Sequence, residues 1–92
     1  MNNPALNDQP VEAARGRLLD VVRLIHAALP ESDLSARQRL EIRRDLLFLV
    51  DESRREVFRP AVAEVLCTAV LAEVSRDHPA VTRTALRVLG VA

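Results

Sequence analysis

The chain has 92 residues, 49% of them hydrophobic, with thirteen basic and thirteen acidic side chains and no net charge. That length allows one domain with a modest core, since a chain of this size hides only about two-thirds of its unfolded surface, and the apolar content excludes global disorder. Zero net charge supplies no long-range attraction to nucleic acid or anionic membrane.

All thirteen basic residues are Arg, and Phe48 and Phe58 are the only aromatics, so the core must be aliphatic. No uncharged run reaches membrane-spanning length, and no basic-then-apolar leader opens the chain. Cys67 is the only cysteine and has no internal disulfide partner. With these features the sequence reads as that of a cytoplasmic protein with a reduced, buried thiol.

Residues 1–8 are polar and turn-rich and read as a flexible tail, leaving 9–92 as a single helical domain. A first helix is expected over about 10–29, with Pro10 in its first turn. Val11, Ala14, Leu18, Val21, Val22, Ile25, Ala28 and Leu29 recur at three- and four-residue spacing and form its apolar stripe. Gly16 interrupts this helix and suggests the close approach of a neighbour. Leu29-Pro30 stops it, because a residue before proline disfavours the α region.

Ser35 and Gln38 make a capping box that opens a second helix, expected to run unbroken over about 36–58. A kink near 52–54 is the alternative, since Ser53 and Glu56 could restart a helix. Leu40, Ile42, Leu46, Leu47, Leu49 and Val50 give its apolar side, and Phe48 widens it. Beyond them Asp51, Glu52, Arg54, Arg55, Glu56 and Arg59 have the spacing of surface ion pairs.

Pro60 begins a third helix, about 60–75, whose segment Ala61 to Val74 is apolar on nearly all sides. Such a helix must be buried by neighbours or by a partner chain. It is expected to be the central helix of the bundle, with Glu64, Thr68 and Ser75 as its wet edge and Cys67 facing inward. Asp77-His78-Pro79 turns into a fourth helix, about 79–89, with Val81, Ala85, Leu86, Val88 and Leu89 as its stripe and Gly90 as its stop. No strand-like alternation appears. The expected fold is all-α, a small antiparallel four-helix bundle.

Residues Val74 to Val91, VSRDHPAVTRTALRVLGV, resemble the second half of a HEAT-type helical repeat. Asp77 and Pro79 occupy the turn positions of that pattern, Val81, Ala85 and Leu89 its inward positions, and Gly90 its stop. The match covers about one fifth of the chain. It departs from the pattern at Thr82, where an Arg is usual, with Arg83 one place late. The first half can be laid out as another helical hairpin, Val11 to Val50, but its turn does not repeat the motif. The resemblance implies a protein-binding helical scaffold without catalysis.

Little in the remaining residues suggests chemistry. His26 and His78 lack Cys, His or carboxylate neighbours at ligand spacing, so no metal site is expected. Gly16 and Gly90 make no phosphate-binding loop, and no cofactor is implied. A Cys67–His26 dyad is conceivable, but an apolar surround makes a thiol inert.

The apolar run Leu46 to Val50 and the third helix together offer more hydrophobic surface than four helices easily enclose. The expected function is therefore a non-enzymatic interaction, adaptor or regulatory module that binds a protein partner or a second copy of itself. Its contact residues are expected at the polar-apolar boundary of the second helix: Arg37, Arg44, Phe48, Arg55 and Phe58. The alternative is a small dimeric nucleic-acid-binding regulator using Arg83 and Arg87, or the Arg37 to Arg44 stretch. No membrane and no small-molecule substrate are expected.

Overall fold

In a computed structural model of the chain, residues 9–76 and 78–89 are described. They form four helices: α1 (Val11–Ala28), α2 (Ala36–Ser53), α3 (Pro60–Val74) and α4 (Pro79–Leu89). No described residue is in a strand. The architecture is the small all-α four-helix bundle that the periodicities predict. The proposed tail 1–8, Asp77 and the Gly90 stop lie outside the described residues.

The helix ends follow from local chemistry. Pro10 stands just before α1, not inside its first turn, and its carbonyl accepts from the Ala14 amide at 2.9 Å. At the other end Leu29–Glu31 tighten into a single 3-10 turn, because Pro30 brings no amide to continue the helix. The Ser32 hydroxyl closes that turn by donating to the Leu29 carbonyl at 2.7 Å. The capping box of α2 forms reciprocally. Ser35 Oγ accepts from the Gln38 amide at 3.1 Å, and Gln38 Oε1 accepts from the Ser35 amide at 3.0 Å. Pro60 opens α3 and Pro79 opens α4, where a missing amide costs nothing.

The second helix does not reach residue 58. It stops at Ser53, whose hydroxyl turns back on the Val50 carbonyl at 2.6 Å. The physical reason is Glu52, which is 3% exposed and faces inward, not outward with the surface ion pairs. Its carboxylate accepts from the backbone amide of Arg59 at 3.2 Å and from the Arg59 guanidinium, with Nε at 3.0 Å. The Arg55 Nε lies 3.6 Å away. A straight helix would carry Arg59 nearly two turns past Glu52, so these bonds require the chain to fold back. Arg15 of α1 fastens the returning loop by donating to the Ser53 carbonyl at 2.9 Å and the Glu56 carbonyl at 3.2 Å.

The central position does not belong to α3 alone: α1 and α3 each pack against all three other helices. Helix α1 packs against α2, α3 and α4, and its Leu18, Val21 and Ile25 are wholly buried. Helix α3 buries only one side, Ala63, Cys67, Val70, Leu71 and Val74. Its other side, including Val62 and Val65, stays exposed. The molecule measures 36 × 31 × 17 Å, less than two helix diameters through its thin dimension, so a helix outside the middle cannot be covered all round. Gly16 likewise serves no close approach: a Cβ placed there would meet nothing within 4 Å.

Two consequences are measurable. Gly16→Ala should raise stability by about 0.5–1 kcal/mol, since it removes helix-interior glycine entropy without a clash, as urea unfolding followed by far-UV circular dichroism would show. Burial opposes ionisation of Glu52, but the hydrogen bonds and charges of Arg59, with the charge of Arg55, outweigh it and hold its carboxyl below the ordinary 4.5. Its contribution is therefore complete above that value and is lost as pH falls through the lowered one. Glu52→Gln should cost roughly 1–3 kcal/mol at pH 7, and the gap to wild type should narrow steadily below pH 4.5.

Candidate protein-interaction surface

Phe48 of α2 and the exposed apolar side chains of α3 converge on one face. Phe48 is 56% exposed and lies with Leu66 in a groove of about 300 Å³ between the two helices, whose polar rim is Asp51, Glu52, Arg55 and Arg59. Leu66 is shared with a second depression of about 360 Å³ lined by Ala61, Val62 and Val65. Ala61 and Val65 in turn border a third, with Glu64, Thr68 and Ala69 lining it among the described residues. The result is a continuous apolar strip from Phe48 to Ala69, with Val65 70% exposed near its middle.

The local folding already described places each part. The capping box fixes the start of α2, and the packing of its Leu46 and Leu49 into the core leaves Phe48 pointing outward. The Glu52 clamp turns the chain after Ser53 and lays α3 alongside α2, which brings Leu66 next to Phe48. That clamp also sets the Arg55 and Arg59 guanidiniums at one end of the strip.

Of the residues expected at a contact surface, Phe48 and Arg55 are brought together at this groove. Arg37 is exposed further up α2 and pairs with Glu41 at 3.5 Å, a solvated pair worth at most about 0.5 kcal/mol. Arg44 is exposed between them in sequence. Phe58 is not a contact residue: it is 7% exposed and belongs to the core. The break at Ser53 carries Phe58 inward, where the Arg15 guanidinium lies 5.6 Å from its ring centroid.

Arg83 and Arg87 are exposed one turn apart on α4, which packs on α1 and α3, so they form a surface of their own. Among the inward positions of the HEAT-like pattern, Ala85 is buried and Val81 half-buried. Asp77, Gly90 and the Leu89 side chain lie outside the description.

Val62, Val65, Leu66 and Arg59 are the members that sequence reasoning did not select for this face. Their signal was present in the uniformly apolar α3, but which side of it would stay bare depends on the packing of α1.

Cys67 faces inward and is wholly buried. Burial, and secondarily the charge of Glu64, push its thiol up to about 12. No hydrogen bond joins it to the exposed His26 among the described residues. In the same set no three His, Cys, Asp or Glu side chains converge as a metal site would require. No described helix is long and apolar enough to cross a membrane. Comparison with protein-family models, curated proteins and solved structures finds no significant match to this chain.

The opposite placements of the two phenylalanines give a direct check. Phe48→Asp should retain wild-type helicity and a cooperative transition, whereas Phe58→Asp should leave the chain largely unfolded at 25 °C by circular dichroism. Cys67 should resist a neutral-pH thiol reagent in the native protein and react within seconds in 6 M guanidinium. Comparable rates in the two states would contradict its burial.

Proposed function

We propose that the protein is a non-enzymatic interaction or adaptor module whose binding surface is the α2–α3 face. The observation that supports this reading is the continuity of the exposed strip Phe48–Leu66–Val62–Val65. Scattered exposed aliphatics are ordinary on a small protein, but a contiguous apolar patch with a polar rim is the anatomy of an interface. Phe48 would act as the aromatic anchor, and the Arg55 and Arg59 guanidiniums would orient carboxylates or carbonyls of the bound protein at the rim.

Both cations are held by Glu52, so their donors are oriented before binding and less side-chain freedom is lost on contact. The partner is another protein or a second copy of this chain. The HEAT-like pattern in residues 74–91 points to the same functional class.

Nucleic-acid binding is the second reading, because Arg83 and Arg87 are exposed on one face of α4 with no ion pair among the described residues. Its weakness is the zero net charge, since phosphate contacts dominate such affinity.

Sedimentation velocity and affinity co-purification of wild type and of a Phe48→Asp/Val65→Asp double variant test the first reading. Wild type should sediment as a dimer or retain a stoichiometric protein, and the folded double variant should lose either property. Retention of the same complex by the double variant would remove the α2–α3 face from consideration. Salt-dependent binding of random duplex DNA at 50 mM salt, abolished in Arg83→Ala/Arg87→Ala, would favour the second reading instead.

A further inference from the structure

The opposite edge of α2 carries a groove of different chemistry. It runs between α1 and α2 and is lined, among the described residues, by Val22, His26, Arg43, Leu46, Leu47 and Val50, with a volume of about 290 Å³. Its floor is aliphatic, and Leu47 stands 65% exposed beside it. Its polar lining is wholly basic: Arg43 and His26 are both exposed and neither has a hydrogen bond or ion pair among the described residues.

The basic character extends along the helix. At 100° per residue Arg39, Arg43, Leu47, Val50 and Arg54 fall on one edge of α2. Glu41, Asp45 and Glu52 fall on the other half, and Asp51 at the margin. Thus a chain with no net charge still presents one edge whose cations have no carboxylates interleaved among them. Arg39 is additionally steadied by donating to the Ser32 carbonyl at 3.5 Å.

We infer that this groove docks an acidic amphipathic helix of a protein partner. Aliphatic floor residues at helical spacing suit apolar anchors repeating at three and four residues. The basic rim suits carboxylates flanking those anchors and rejects a basic helix. The groove follows α2 from Arg43 to Val50, about 10 Å or two turns of a partner helix, and Arg39 and Arg54 extend the basic edge beyond its two ends. A shallow trough of this small volume fits the side of a helix better than a small ligand, which needs a deeper enclosure. This site is independent of the Phe48–Val65 strip and would let α2 serve two partners from its two sides.

The experiment titrates ¹⁵N-labelled protein with a 16-residue helical peptide carrying leucines at three- and four-residue spacing flanked by glutamates. The same peptide with lysines for glutamates is the control. The glutamate peptide should shift the amides of Val22, His26, Arg43 and Leu47. Its Kd should rise roughly tenfold or more in Arg43→Glu and on raising salt from about 50 to 300 mM, and should stay within about twofold in Phe48→Asp.

Equal binding of the lysine peptide, absence of shifts at millimolar glutamate peptide, shifts centred on Val62 and Val65, or an unchanged Kd in Arg43→Glu would each overturn the inference. So would tighter retention by vesicles of phosphatidylglycerol than by the glutamate peptide, which would assign the groove to a lipid surface.

Discussion

Four helices are too few to cover any one of them all round, and this constraint shapes the whole molecule. The buried stripe of α1, with Leu18, Val21 and Ile25, carries larger side chains than that of the alanine-rich α3. Each of the four helices therefore shows a side to solvent, and the 17 Å thickness records the result. On α4 the bare side is polar, with Arg83, Thr84 and Arg87. On α3 it is apolar, and with Phe48 it gathers much of the surplus hydrophobic surface at one face.

Glu52 converts that constraint into a defined surface. A buried carboxylate is costly unless it is fully bonded, and here both oxygens are engaged by the amide and guanidinium of Arg59. The bonds can form only if the chain reverses after Ser53, so one acidic residue specifies the α2–α3 connection. The same reversal delivers Phe58 to the core and leaves Arg55 and Arg59 at the end of the apolar strip. Arg15 joins this arrangement to α1 through two loop carbonyls and the face of Phe58. The loop between α2 and α3 is consequently tied to two other elements of the fold.

Helix α2 emerges as the element with two working edges. One edge carries Phe48 and Arg55 toward the groove shared with α3, and the other carries Arg43 and Leu47 toward the groove shared with α1. Between them Ile42, Leu46 and Leu49 anchor the helix to the core. The proposed adaptor role would rest on this division, because a helix that offers contacts on two sides must be fixed along a third.

The sequence by itself determined the four helices and most of their ends. The signals were local: prolines at first turns, the Ser35–Gln38 box, and stripes at three- and four-residue spacing, each expressed within a few residues of where it acts. It also determined that Cys67 lies inside and that apolar surface would be in excess. Tertiary structure decided where that excess would appear, and that Glu52 and Phe58 face inward. Those outcomes hang on how the four helices share the interior and on a bond between residues 52 and 59. A charged residue flanked by other charges reads as solvent-facing until a fold supplies it with an amide and a guanidinium. Local pattern records the preference of a segment, but burial is allotted among all segments at once, and that allotment placed Phe48 outside and Phe58 within.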